Sequence, residues 1–159
     1  MVRPGRIAIG VAVLAAIIGL DWWVEGVLRQ SEIRDRFAQL SARCESSFAS
    51  ARETLALAEP RRESVAPADL RVFAPIPPMA VMPSELEDPV LRAAENRLIL
   101  LDEDARRYAE LVSAVARVVA GEAANASSAW KRVHDFLAAH VEAMRLACDS
   151  VENELIDRS

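Results

Sequence analysis

Two cysteines and two histidines are the residues of this chain best suited to redox or metal chemistry. Cys44 and Cys148 do not form a Cys-x-x-Cys motif, which argues against thioredoxin-like exchange and haem attachment. His134 and His140 would point about 120° apart on a helix, so they could not chelate one metal ion together. We therefore interpret both histidines as core or boundary residues, and we predict neither a metal nor a cofactor.

The carboxylates are numerous, but they lie at predicted helix starts and on polar faces, where solvation is expected. They are Glu85, Glu87, Asp88, Asp102, Glu103, Asp104, Asp149, Glu152, Glu154 and Asp157. A diiron-type bundle needs Glu-x-x-His pairs, and neither histidine has a Glu three residues before it. The sequence also lacks a serine nucleophile motif and a glycine-rich phosphate loop. We predict no catalytic residue; an activity lost on replacing either histidine with alanine would argue for an enzyme.

Both cysteines fall on apolar seams of predicted helices, so both side chains should face a core. Where this part of the chain lies in an oxidising compartment, the two thiols can pair. We predict a Cys44–Cys148 bridge, which closes a loop of about 100 residues and stabilises the fold in the chain-entropy model. Two buried free thiols, or an intermolecular bridge at Cys44, are the alternatives.

The N-terminal segment has the pattern of a membrane anchor. Arg3 and Arg6 precede an uncharged apolar run, residues 7–20, and Trp22 and Trp23 follow it. With its flanking residues the run is long enough to cross a bilayer, and the tryptophan pair suits the interface. The basic residues predict a cytoplasmic N-terminus. A cleaved signal peptide is the main alternative, although small residues are poorly placed for cleavage, and a buried helix of a cytosolic bundle is the other.

We expect residues 1–28 to form a single-pass anchor in a bacterial inner membrane, with the C-terminal domain in the periplasm. The bacterial source is a compositional inference, because Lys131 is the only lysine among the basic residues and alanine is abundant. A net charge of −5 disfavours a nucleic-acid partner. The residues expected to pack the anchor or hold it at the interface are Gly10, Ala12, Ala15, Ala16, Gly19, Trp22 and Trp23.

The remaining sequence predicts an all-α fold, because glycine and aromatic residues are scarce and three long segments have heptad periodicity. We place three bundle helices at residues 29–59, 88–120 and 125–158, joined by a proline-rich connection at residues 60–87. The short link between the second and third helices makes them antiparallel neighbours. The order of the helices relative to the membrane end is left open.

The apolar seams define the expected core. The first seam has one extra residue and comprises Ile33, Phe37, Leu40, Cys44, Phe48, Ala51, Leu55 and Ala58. The second comprises Leu91, Ala94, Leu98, Leu101, Ala105, Tyr108, Val112, Val115 and Val119, and it is widened by Leu100, Leu111 and Val118. The third comprises His134, Leu137, Val141, Met144, Cys148, Val151 and Leu155. The widened second face predicts that this helix touches two neighbours.

The proline-rich connection is the best candidate for a partner-binding segment, because extended proline-rich chain loses little entropy on docking. The candidate residues are Pro75, Ile76, Pro77, Pro78, Met79, Ala80, Val81 and Met82. Packing on its own bundle is the alternative. We expect a non-enzymatic accessory, scaffold or assembly subunit of an envelope complex, whose partners are other membrane proteins and the bilayer. A ligand-sensing or signal-relay domain that works with a partner is the alternative function.

Overall fold

The structure of the chain is a computed structural model with three α-helices and no strands among the residues that it describes. These residues are 4–59, 72–121 and 126–158, with side chains described for 19–59, 72–117 and 128–158. The helices are α1 (Pro4–Ala58), α2 (Pro89–Gly121) and α3 (Ala126–Asp157). The predicted all-α, three-helix fold is confirmed. The predicted boundary between anchor and bundle, at residue 28, lies inside α1, which is one unbroken helix.

Contacts at the two ends of the bundle give the helix directions. Glu59, just past the end of α1, is bonded to His134 near the start of α3, whereas Arg158 after α3 stacks over Phe37 of α1. Arg158 also pairs with Asp88 at the start of α2, at 3.2 Å. Helices α1 and α2 are therefore parallel, and α3 is antiparallel to both. The chain between α1 and α2 returns to the end of the bundle at which α2 begins.

The core face of α1 is a regular heptad rather than the interrupted seam that the sequence predicts. Its buried positions alternate strictly at spacings of four and three: Ile33, Phe37, Leu40, Cys44, Ser47, Ala51, Thr54 and Ala58. Phe48 and Leu55, which the prediction placed on the seam, lie beside it and are half-buried. Ser47 and Thr54 replace them in the core because each hydroxyl has an acceptor; Ser47 Oγ donates to the carbonyl of Pro77 at 3.0 Å.

Helix α2 begins as predicted, with Asp88 Oδ1 accepting the Leu91 N–H at 2.7 Å and Pro89 in the first helical position. Its second buried face differs from the prediction. Leu100, expected to widen the apolar stripe, is exposed, whereas two carboxylates, Glu95 (1% exposed) and Asp102 (7% exposed), are buried. The expectation that the carboxylates are solvated is therefore wrong for Asp102.

Candidate partner-binding site

The candidate site is built on residues 72–88, the described chain that leads into α2, which we name the strap. Helix α3 packs along both α1 and α2, but α1 and α2 meet each other at few points. The strap fills the space between these two helices and runs antiparallel to α1. Pro77 lies beside Ser47, and Met82 lies beside Arg36, about three helical turns nearer the N-terminus of α1.

Apolar side chains fasten the strap to the core. Phe73, Ile76 and Met79 are buried at every third position, which is the periodicity of a polyproline-II helix. The ring of Phe73 stacks on Trp130 of α3 with centroids 4.9 Å apart. After Met79 the spacing changes, and Val81, two residues on, is also buried. The strap is therefore threefold up to Met79 and loses that periodicity after it.

The change of spacing occurs at Ala80, which has a φ of 51° and is the one non-glycine residue with positive φ in the described chain. An L-residue is strained there because its Cβ approaches the following carbonyl. The turn presents two successive carbonyls to the same cation: Arg43 Nη1 donates to the carbonyl of Ala80 at 2.6 Å and to that of Met79 at 3.3 Å. The strained residue is thus fixed by a side chain of α1.

Helix α2 holds the opposite side of the strap through its two buried carboxylates. Asp102 Oδ1 accepts the Met79 N–H at 2.8 Å. Glu95 Oε2 accepts both the backbone N–H of Ser84 (2.9 Å) and its hydroxyl (3.1 Å). Buried backbone groups need hydrogen-bond partners. In a sheet a neighbouring strand would supply them, and here the two carboxylates accept the N–H groups of Met79 and Ser84 instead.

A buried ion pair joins the two helices through the strap. Arg36 Nε of α1 donates to Glu95 Oε1 of α2 at 2.8 Å, and its Nη2 donates to the carbonyl of Met82. The Arg36 side chain is 18% exposed and that of Glu95 is 2% exposed. The pair therefore lies largely out of water and depends on its hydrogen bonds for its stability.

The predicted partner-binding residues divide into an inward and an outward set. Ile76, Met79 and Val81 are buried, so these three residues dock the strap on its own bundle. The outward set is exposed and comprises Pro75, Pro77, Pro78, Ala80 and Met82. Met82, at 74% exposure, is the most open large apolar side chain of the strap. An apolar groove of about 470 Å³ runs beside it, lined by strap residues and by Asp102, Ala105, Arg106 and Ala109 of α2.

The residues that fix the strap, Arg36, Arg43, Ser47, Glu95 and Asp102, were not predicted from the sequence as a group. Each is a polar residue within or beside the apolar seam of a helix. From the sequence alone, a polar residue at such a position is expected to be solvated. One signal could have indicated them: an extended segment without a strand partner must have donors and acceptors supplied by neighbouring helices.

The histidines are both buried, in agreement with the prediction that they belong to the core or its boundary. His134 Nε2 lies 2.6 Å from Glu59 Oε2. Neither ring nitrogen of His140 has a hydrogen-bond partner. Burial lowers the pKa of His140 below its ordinary 6.5, against smaller opposing effects of Asp104 and Asp102.

The predicted cysteine pair is present. Cys44 of α1 and Cys148 of α3 are bridged, with Cα atoms 5.6 Å apart and a sequence separation of 104. Cys44 lies in the core, and Cys148 is half-buried at its edge. The bridge links α1 and α3, the first and last helices of the bundle.

The predicted anchor lies mostly outside the described side chains, which begin at residue 19; Gly10, Ala12, Ala15 and Ala16 are among those not described. Apart from the adjoining turns of its own helix, no described atom lies within 4 Å of the position a Cβ would take at Gly19. Trp22 and Trp23 are exposed, at 78% and 66%. Within the described residues, the structure contains no helix with the length and apolar character that a membrane span requires.

Chemically, the strap and its groove combine apolar contacts with hydrogen bonds to backbone. Among the described residues, no three His, Cys, Asp or Glu side chains lie close enough together to hold a metal ion. Comparison of the chain with protein-family models, with curated proteins and with solved structures gave no match.

Proposed function

We propose that this chain is a single-pass, membrane-anchored accessory subunit of a bacterial envelope complex, and that its helical bundle binds a protein partner outside the cytoplasm. The observation that carries the proposal is a row of exposed apolar and aromatic side chains on α1, which starts at the last residue of the uncharged run at residues 7–20. The row comprises Leu20, Trp22, Trp23, Val24, Val27 and Leu28. No described part of the chain covers these side chains, and a lipid or protein environment would cover them.

The continuity of α1 supports this arrangement. The bundle begins at Ile33, the first buried residue among the described side chains of α1, whereas the helix extends from Pro4. At about 1.5 Å per residue, the stretch before Ile33 is about 43 Å long, enough for a bilayer core and its interface. The bundle is thereby attached to the anchor without a linker, so that its distance from the membrane is fixed.

The cysteine bridge supports an extracytoplasmic position, because disulfides persist in oxidising compartments and are rare in the reducing cytosol. The basic residues before the apolar run predict the same orientation. Residues 30–159 would then face the periplasm. The end of the bundle at which Glu59 meets His134 would lie farthest from the membrane.

The outward edge of the strap is the proposed surface for the partner. It presents Pro75, Pro77, Pro78 and Met82 on a backbone that is already fixed by the inward set, so that docking orders little additional chain. The groove beside Met82 adds apolar surface contributed by α2. The partner expected here is another envelope protein that offers apolar side chains to this edge.

The test of the anchor uses the full chain with a C-terminal tag, expressed in a bacterium. Wild type should sediment with membranes, retain its N-terminus by intact mass and expose its tag to protease in spheroplasts. Leu14→Arg, in the apolar run, should shift the chain to the soluble fraction or prevent its export. Leu57→Arg, an exposed leucine at the far end of α1, is the matched control and should remain in the membrane. A wild-type chain that is soluble and shortened would refute the anchor.

The test of the partner surface is gentle detergent extraction followed by mass spectrometry of the proteins that co-purify at a fixed ratio. Met82→Asp should remove such a partner, because it places a charge in an apolar contact. Leu146→Asp, on an exposed position of α3, should retain it. Equal retention by both variants would locate the interface elsewhere.

A further inference from the structure

A groove of about 740 Å³ lies where the C-terminal end of α3 packs beside the first bundle turns of α1. On α1 it is lined by exposed side chains, which are Val27, Gln30, Ser31, Arg34, Asp35 and Ala38. Val27 also belongs to the exposed apolar row at residues 20–28, which precedes the bundle. The row therefore leads directly into the groove along α1.

The surface formed by the row and the groove has a heptad register of its own. Residues at alternating spacings of four and three share one face of α1: Leu20, Val24, Val27, Ser31, Arg34 and Ala38. We name this face the outer seam. At about 100° per residue, its centre lies about 130° around the helix from the buried face that begins at Ile33. The outer seam is therefore distinct from the core of the bundle, and all six of its residues are exposed.

Two further residues of the row flank the outer seam. Trp23 and Leu28 lie on opposite sides of it, and both are exposed. Trp22 alone of the row points away from the seam, so it remains available to a lipid interface. Ser31 is compatible with burial in an apolar seam because its hydroxyl already donates to the carbonyl of Leu28, at 2.9 Å. The pattern is that of one strand of a two-stranded coiled coil.

Opposite charges lie at the groove end of the outer seam. Arg34 is on the seam and Asp35 is directly beside it, and both are exposed. Within the described residues, neither side chain has an ion pair or a hydrogen bond. They do not pair with each other, because adjacent residues of a helix do not face each other. Both charges are therefore available to a second chain.

We propose that the outer seam binds the outer seam of a second copy of this chain, with the two α1 helices parallel and in register. In such a pair each seam residue meets its own counterpart, so that Leu20, Val24 and Val27 of the two copies bury one another. Residues that flank the seam meet across it, which places Trp23 of one copy against Leu28 of the other. The pairing covers the exposed apolar row except for Trp22.

Charge complementarity identifies a second copy as the occupant. In the parallel pair Gln30 of each copy faces Asp35 of the other, and the long side chain of Arg34 reaches the same carboxylate. Twofold symmetry repeats these contacts, so the charges of both copies are matched. An anionic lipid surface would match Arg34 but repel Asp35. A different protein would have to offer an acid and a base at the same two heights.

Cysteine crosslinking of the full chain in detergent micelles tests the pairing. Cys44 and Cys148 are bridged, so a cysteine introduced at an exposed position supplies the reactive thiol. Val24→Cys and Ser31→Cys place it on the outer seam. Glu25→Cys and Arg29→Cys, on the opposite side of α1 and also exposed, are the matched controls. Each variant is treated with a short bismaleimide, and the mass of the product shows whether it contains two copies of this chain.

The expected result is a dimer yield at the two seam positions at least about fivefold above that at the two controls, because seam residues meet their counterparts and the controls face away. Equal yields at all four positions, or no dimer at the seam, overturn the proposal. A seam cysteine that is shielded from a water-soluble maleimide but forms no dimer also overturns it, and assigns the face to lipid or to a different protein.

Exchange of the two charges tests the register of the pair. Arg34→Asp should lower the dimer yield of Val24→Cys about fivefold, as for the loss of two exposed ion pairs. Asp35→Arg should do the same, and the two substitutions together should restore the yield because the charges again match between copies. Arg29→Asp, on the opposite face, is the control and should have no effect. Single variants that leave the yield unchanged, or a double variant that fails to restore it, overturn the in-register pair.

The pairing goes beyond the proposed function, and its test is separate. Crosslinking in micelles reports self-association, whereas sedimentation of Leu14→Arg reports the anchor. A soluble, shortened chain that still forms the seam dimer would refute the anchor and support the pair. A membrane-bound chain without the seam dimer would support the anchor and overturn the pair.

Discussion

The bundle joins α1 to its two neighbours in different ways. Against α3, α1 uses an apolar heptad face and a covalent bridge between Cys44 and Cys148. Against α2, it uses an interposed strap, a largely buried ion pair between Arg36 and Glu95, and hydrogen bonds to strap carbonyls. We refer to these as the apolar joint and the polar joint.

The difference predicts different mechanical behaviour. Apolar contacts are non-directional and tolerate small shifts, and the bridge prevents separation of α1 and α3. Hydrogen bonds in the polar joint have defined geometry, and each buried group left without its partner is penalised. We therefore expect the polar joint to open as a unit before the apolar joint does.

The largest expected effect comes from removing the bridge of the apolar joint. Cys44→Ala combined with Cys148→Ala should lower the free energy of unfolding by about 4 kcal/mol, since the bridge closes a long loop. Urea unfolding followed by circular dichroism measures the loss. Wild type with its disulfide reduced is the control and should behave like the double variant. Equal stability of oxidised and reduced wild type would show that the apolar contacts alone determine this joint.

A somewhat smaller effect is expected from the polar joint. Glu95→Ala leaves the guanidinium of Arg36 and the N–H of Ser84 without their acceptor, and should cost about 3 kcal/mol. Glu103→Ala, on the exposed face of the same helix, is the matched control and should change stability by less than about 0.5 kcal/mol. Limited proteolysis should cut the strap of Glu95→Ala sooner than that of wild type. Unaltered cleavage with lower stability would mean that Glu95 does not hold the strap.

The apolar joint could be predicted from the sequence, and the polar joint could not. Heptad spacing identifies Phe37, Leu40 and Cys44 as core residues because only one face of a helix can meet its neighbour. The same reasoning missed Ser47 and Thr54, whose hydroxyls fit a core once acceptors are present. A periodicity argument uses only the hydrophobicity of each residue. It therefore assigns a polar residue to solvent unless a buried hydrogen-bond partner is known.

The strap shows the same division within one segment. Its prolines indicate an extended chain, and its apolar residues indicate that something covers it. The choice between Ile76 facing inward and Met82 facing outward depends on contacts between residues that are distant in the sequence, such as Arg36 with Glu95. A periodicity of three is visible in Phe73, Ile76 and Met79, and it could have indicated the buried side of a polyproline-II helix.

The smallest expected effect is a gain in stability, and it tests whether the polar joint holds Ala80 under strain. Ala80→Gly keeps the left-handed conformation but removes the Cβ, which costs an L-residue about 1–2 kcal/mol there. The substitution also adds flexibility to the unfolded chain worth about 0.4–1 kcal/mol. The net change should be a stabilisation of about 0.5 kcal/mol. Ala74→Gly, in the same strap but without positive φ, has only the second term and should destabilise. Opposite signs for the two variants in urea unfolding would confirm that the turn at Ala80 is strained. If both variants destabilise equally, the turn at Ala80 is relaxed, and the polar joint consists of hydrogen bonds alone.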